Sequence, residues 1–324
     1  MVLKVLSFLL VSVGIYLSVA LVLILSQSPG HMKSDGQTLD FASVVTDDPA
    51  EPLPRIEVTA EDGSLYSAGH LPAPPGRPLL VMLHGSGWHD GQFAKLARAL
   101  EGSAEIITPP LRGHFRGPGE RGDLQYIGQL EDDVAALIEA QAKPGQPVVL
   151  LGHSSGGGLV VRFAGGAHDG LIDRAILLAP FLQYDAPTTR PDSGGWARPL
   201  TRRIIGLSML NAVGFHALDG LTAIEFAMPA ALRNGPLGDQ ATLAYSWRLN
   251  QSYAPRRDYL ADAAALPPFL LIAGAQDEAF DASAYEPLLA PVNPDGRYEI
   301  LPGVDHLGVV SAKRTVALIA EALG

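Results

Sequence analysis

The run Val148–Leu159 reads V-V-L-L-G-H-S-S-G-G-G-L. An apolar, partly β-branched stretch ends at Gly152, a turn of small residues carries Ser154, and an amphipathic segment, Leu159–Ala164, follows. That pattern predicts a strand, a sharp turn and a helix, with G-x-S-x-G filled by Gly152, His153, Ser154, Ser155 and Gly156. Such a corner holds its serine in a strained backbone conformation with the side chain clear of the sheet. Gly152 and Gly156 are expected to leave room that a Cβ would take. The following helix aims free N–H groups and its positive end at the serine, where charge on a substrate oxygen would be stabilised. The chemistry this allows is nucleophilic. A serine hydroxyl is weak at neutral pH, so it needs a base within hydrogen-bond reach and an acid to orient that base. A glycine-rich turn with an incidental serine would match the same five residues, but the apolar run before it favours the elbow.

The rest of the chain must position such a group. Its 324 residues, 47% hydrophobic, suit one large domain with an insertion or two small ones. A formal charge of −11 argues against a nucleic-acid partner. The absence of cysteine excludes disulfides and thiolate metal sites and leaves the redox compartment open. Val5–Leu25 is apolar apart from Ser7, Ser12, Gly14 and Ser18, long enough to span a bilayer, and without a small-residue cleavage site at its end. It is expected to be a retained anchor rather than a cleaved signal. Lys4 and the amino terminus before it, against Lys33 after it, place the N-terminus inside and the folded part on the non-cytoplasmic side. Residues 26–54, rich in Ser, Pro, Asp and Gly, read as a flexible tether.

From Arg55 onward strands are predicted at Arg55–Thr59, Ser64–His70, Leu79–Leu83, Ala104–Thr108, Arg174–Ala179, Phe269–Ala273 and Tyr298–Leu301, besides the one before Ser154. Helices are predicted at Phe93–Leu100 and Ile127–Gln141, with Glu131, Asp132 and Asp133 on a solvated face. The alternation argues for an α/β protein, a mostly parallel sheet with helices on both faces. It stops between Pro180 and Ala265, a stretch too long for a simple connection. Helical patterns there cover Trp196–Ala212, Ala223–Leu232 and Gln240–Asn250.

On the elbow, the loop H-G-S-G-W-H-D-G at His84–Gly91, and this alternation, the chain resembles an α/β-hydrolase over roughly residues 55–323. Within that fold it is similar to the lysophospholipase, monoacylglycerol lipase and serine aminopeptidase type. The resemblance implies an eight-stranded sheet with core segments 55–180 and 266–324 and a helical cap over 181–265, inserted after the sixth strand. It implies the order Ser, then Asp or Glu, then His at strand ends. Ser154 is then the nucleophile, Asp277 the acid (with Glu278 and Asp281 as competitors) and His306 the base; no other histidine lies downstream of Asp277. Asp305 is read as a loop cap. The oxyanion donors implied are the N–H groups of Ser86, with Gly87 as the next choice, and of Ser155. His84 would shape its loop, and His89 would lie at the surface or at the pocket rim, the surface first. Arg112 would hold loop carbonyls, or, for a phospholipid substrate, join Arg116 and Arg121 at a phosphate. Met209, Phe215, Phe226, Met228 and Trp247 are the cap residues that could face the pocket. The activity implied is hydrolysis of carboxylic esters, lipidic ones first, through an acyl-enzyme, with no metal or organic cofactor. The alternatives are an aminopeptidase, for which Glu225 could bind the substrate amine, and a non-catalytic binding domain tethered to a membrane.

Overall fold

The strands in chain order are β1 (Arg55–Thr59), β2 (Leu65–Leu71), β3 (Leu79–Leu83), β4 (Glu105–Thr108), β5 (Val148–His153), β6 (Arg174–Leu178), β7 (Ala197–Pro199), β8 (Thr222–Phe226), β9 (Ala244–Ser246), β10 (Phe269–Gly274) and β11 (Gly296–Leu301). The helices are α1 (Val2–Leu25), α2 (Ala94–Ala99), α3 (Gln129–Gln141), α4 (Ser155–Ala164), α5 (Thr201–Ala212), α6 (Ala230–Arg233), α7 (Trp247–Ser252), α8 (Tyr259–Ala264), α9 (Tyr285–Leu289) and α10 (Lys313–Leu323). The computed structural model describes residues 1–30, 39, 41, 51–235 and 238–324.

Eight strands form one sheet in the order β1-β2-β4-β3-β5-β6-β10-β11. The pairs from β4 onward are parallel, while β1–β2 and β2–β4 are antiparallel, so the sheet is mixed. β3, β5 and β10 are buried along their whole length, as the unbroken apolar runs of strands covered on both faces require. The parallel pairing brings their C-terminal ends to one edge, where the loops after β3, β5, β10 and β11 meet.

Three expectations change. α3 does not carry a solvated acidic face: Glu131 and Asp133 are buried. Glu131 is paired with Arg162 and Arg256, and Asp133 with Arg112. Buried carboxylates persist there because each has a guanidinium partner. The insertion is not purely helical. Alongside α5 to α8 it contains a three-stranded antiparallel sheet, β7-β8-β9, and all three strands form where helix was expected. β8, T-A-I-E-F, buries alternate positions, a period of two that a short window does not separate from a helix.

The third change concerns the N-terminus. α1 has a mean hydropathy of 2.8 over its apolar window and is long enough to cross a bilayer. Its last turns lie on α5, with Ala20 and Ile24 buried against Gly206, Leu207 and Leu210. A Cβ on Gly206 would come within 2.7 Å of Ile24 Cγ1, so glycine sets how close the two helices lie. Tyr16 donates to the Met209 carbonyl at 2.8 Å. Beyond the helix, Gly30 N–H donates to Glu225 at 2.9 Å, and Arg202 donates to the Ser26 carbonyl at 2.8 Å. Leu39, Phe41 and Leu53 are buried in the main core. The described parts of the expected tether are thus packed on the folded body; residues 31–38, 40 and 42–50, with Lys33 among them, lie outside the described residues.

Candidate active site

Ser154 stands between β5 and α4 with φ 54° and ψ −120°. A non-glycine residue adopts that conformation only where its surroundings impose it. The flanking glycines show what does so. A Cβ on Gly152 would collide with the carbonyl oxygen of Gly156, and one on Gly156 with the carbonyls of Leu83 and His84. The glycines let the turn pass against itself and against the end of β3, rather than clearing space around the serine. Ser154 N–H donates to the Leu178 carbonyl, and its own carbonyl accepts from Phe181, both at 2.9 Å.

The loop after β10 brings Asp277 to the loop after β11, where Asp277 Oδ2 lies 2.8 Å from His306 Nδ1. Asp277 Oδ1 accepts the N–H groups of Ala279 and Phe280, each at 2.8 Å. An ionised carboxylate can only accept, so Nδ1 carries a proton toward Asp277. Burial alone would raise the Asp277 carboxyl. The charge and hydrogen bond of His306, with the two backbone N–H groups, hold it below the ordinary carboxylate value. His306 Nε2 has no protein hydrogen-bond partner among the described residues, and the ring lines the same cleft as Ser154. The competing acids are occupied elsewhere. Glu278 accepts the His306 backbone N–H at 2.9 Å, Asp281 caps Ser283, and Asp305 caps Gly308.

Two chains of hydrogen bonds, one part-buried and one buried, flank Ser86. In the first, Gly85 N–H donates to Gln92 Oε1 at 2.9 Å, Gln92 Nε2 meets His153 Nδ1 at 2.7 Å, and His153 Nε2 meets the His306 carbonyl at 3.0 Å. Every role is forced. A backbone N–H must donate, which turns the Gln92 amide nitrogen toward His153 and leaves the His153 proton on Nε2. In the second, Gly87 N–H donates to the Tyr245 hydroxyl at 2.7 Å, which donates to His114 Nε2 at 2.6 Å, and His114 Nδ1–H reaches the Arg112 carbonyl at 3.0 Å. Burial lowers both histidines, to about 3 for His153 and about 4 for His114, so both are neutral. The N–H of Ser86, between the two chains, has no protein acceptor among the described residues, and neither does that of Ser155 at the start of α4. Gly87, the other candidate donor, is already engaged. His84 accepts Leu111 N–H at 3.1 Å through Nε2, a loop-shaping contact, and His89 is half-buried between Trp88 and Phe115 rather than at the surface.

The cleft encloses about 520 Å³ with its open mouth included. Phe181, Trp196, Ile224, Phe226, Tyr253 and Phe280 form most of its wall. Of the five cap residues singled out in the sequence only Phe226 lines it. Met209 and Trp247 pack toward α1, Phe215 is exposed, and Met228 sits against Gly87. The phosphate trio is not assembled: Arg112 is buried and holds Asp62 and Asp133 rather than loop carbonyls, while Arg116 and Arg121 stack on Phe115. Glu225 is turned from the cleft and paired with Arg198. Gln92 and Tyr245 had no local signature; a polar side chain just after a glycine loop is the only hint the sequence carries for Gln92.

Comparison with known proteins agrees with this geometry. The family profile described as serine aminopeptidase, S33, matches residues 74–309. Human monoglyceride lipase is 26% identical over 264 residues, 80% of this chain and 84% of that protein. A soluble variant of monoglyceride lipase from Saccharomyces cerevisiae superposes with a TM-score of 0.59 at 18% identity, over 85% of this chain and 94% of that one. A bacterial membrane phospholipase A superposes with a TM-score of 0.56 at 16% identity, over 99% of this chain and 96% of that one. With the profile covering most of the chain, and the elbow and sheet order described above, the protein belongs to the serine aminopeptidase S33 family of α/β-hydrolases.

Proposed function

We propose that the chain hydrolyses carboxylic esters of neutral lipids, monoacylglycerols first, through Ser154, His306 and Asp277. The observation that carries this is the buried Asp277–His306 pair opening onto the same apolar cleft as the strained Ser154. Ser154 Oγ attacks the ester carbonyl while His306 Nε2 takes its proton, and Asp277 holds the ring and stays ionised. The N–H groups of Ser86 and Ser155 receive the oxyanion. His306 returns the proton to the leaving alcohol, then activates the water that releases the acid. Apart from His306, no ionisable Asp, Glu, Lys, Arg or His side chain lines the cleft among the described residues. That favours a neutral ester over an amino-acid amide or a phosphate head group, and Glu225, spent on Arg198 and Gly30, offers nothing to a substrate amine. The apolar α1, read as a membrane anchor with the catalytic part outside, would hold the cleft near its substrate.

The test is labelling by a fluorophosphonate and turnover of p-nitrophenyl esters and monoacylglycerols of varied chain length. Wild type should label and hydrolyse, and Ser154→Ala should do neither. Labelling undiminished in Ser154→Ala, or release of p-nitroaniline from amino-acid anilides with esters untouched, would sink the reading.

A further inference from the structure

We propose that the cap is a working part of the oxyanion hole. Tyr245, on cap strand β9, positions the Ser86 N–H by holding the next peptide, so the hole is complete only while the cap is docked. This rests on the serine-hydrolase reading, because it concerns the placing of that reading's oxyanion donor.

Both polar groups of Gly87 are taken by the cap. Its N–H donates to the Tyr245 hydroxyl at 2.7 Å, and its carbonyl accepts Thr242 N–H at 2.9 Å. A third cap group, Trp196 Nε1–H, donates to Ser86 Oγ at 3.1 Å. The contact is close as well as polar. Gly87 has φ +74°, and a Cβ there would lie 3.2 Å from the Trp196 ring, 3.3 Å from the Thr242 carbonyl and 3.4 Å from Met228. On the other side the core holds Gly85 through Gln92 and through His84 Nδ1–H to the Gly85 carbonyl at 2.9 Å. Each peptide is planar and each residue has two soft dihedrals. Fixing the peptides before and after Ser86 therefore fixes where its own N–H points, and one of those two anchors belongs to the cap.

The Tyr245 hydroxyl is suited to this task. His114 Nδ1–H is spent on a carbonyl, so His114 Nε2 can only accept and the Tyr245 proton must go to it. The oxygen is left with lone pairs for Gly87 alone. The ring is held independently, 4.6 Å from Phe226 and 5.2 Å from His114. Removing the hydroxyl should leave the cleft wall in place, free the Gly87 N–H and leave His114 Nε2 without its donor. Tyr245 is thus a positioning residue: it reaches the reacting atoms through the main chain, and cap movement and transition-state stabilisation are linked by one bond.

The experiment compares wild type, Tyr245→Phe and Ser154→Ala on p-nitrophenyl esters, with titration of a trifluoromethyl ketone, which forms an oxyanion, and of a long-chain alcohol, which does not. Tyr245→Phe should lower kcat about 10- to 100-fold, short of the roughly 100- to 1,000-fold of an oxyanion donor lost outright, with KM changed less than about twofold. Ketone affinity should fall in the same proportion and alcohol affinity should hold. A kcat within about twofold of wild type, or a loss carried by KM with ketone affinity intact, overturns the proposal. Activity surviving in Ser154→Ala overturns the hydrolase reading and this proposal together; activity lost there but kept in Tyr245→Phe overturns this proposal alone. If Tyr245→Phe does not fold, hydrogen exchange on phosphonylated wild type decides. Segments 84–91 and 241–246 should gain protection together, and gain in 84–91 alone counts against the link.

Discussion

The Ser154 elbow and the Gly85–Gly87 loop face each other across one cleft and are held by different means. The elbow is fixed by main chain against main chain: Gly152 against Gly156, Gly156 against the end of β3, and Ser154 bonded to Leu178 and Phe181. The Gly85–Gly87 loop is fixed mostly by side chains, Gln92 from the core and Tyr245 and Trp196 from the cap, with one main-chain bond from Thr242. A backbone fit of the first kind is all or nothing, since an added methyl has no direction in which to yield. A side-chain clamp of the second kind gives graded losses and can be retuned without rebuilding the sheet.

The contrast breaks most visibly at Gly156→Ala. Its Cβ would collide with two carbonyl oxygens at the end of β3, so ester turnover should fall by at least about a thousandfold, with the fold destabilised by about 3 kcal/mol or more. Thermal unfolding and fluorophosphonate labelling measure both; a soluble variant with near wild-type labelling would erase the distinction. Acid should separate the regions next. His84, His114 and His153 are all buried, and their pKa values are lowered first by burial, to about 4 for His114 and about 3 for His153. In an unfolded chain each sits near 6.5, so as pH falls the unfolded state takes up protons first. The stability is whole above about 6.5 and lost as pH drops toward the folded values, at about 1.4 kcal/mol per pH unit per histidine. The denaturation midpoint should fall steeply between pH 7 and 5; a flat midpoint there would contradict the neutral relays. The smallest effect is expected for Gln92→Ala. It strands Gly85 N–H and His153 Nδ1, and kcat should drop about 10-fold, the scale of one or two unmet buried groups. Gln92→Glu should not restore it, because a carboxylate would draw the His153 proton to Nδ1 and leave the His306 carbonyl without a donor.

The same contrast explains what could be read from the chain. The elbow's shape was legible because glycine spacing records backbone contacts directly, and the meeting of Asp277 with His306 because each follows an apolar strand in the order the fold resemblance implied. The clamp was not. Tyr245 lies on a three-residue strand, β9, whose existence depends on pairing with β8, and nothing local announces that its hydroxyl meets a peptide 158 positions earlier. The cap pocket failed for a related reason. Met209 and Trp247 look like lining residues by size and polarity, yet α1, which packs on their side of the cap, takes them. The burial of Glu131 and Asp133 was hidden likewise, because it depends on arginines from distant segments.

β8 carries one consequence of its alternation. Ile224 and Phe226 look into the cleft while Glu225, between them, grips Gly30 and Arg198 just past the end of α1. Five residues of extended chain thus have the cleft wall on one side and, on the other, the stretch that follows the N-terminal helix. The segment after α1 and the inner surface of the cleft are therefore one residue apart along the same strand.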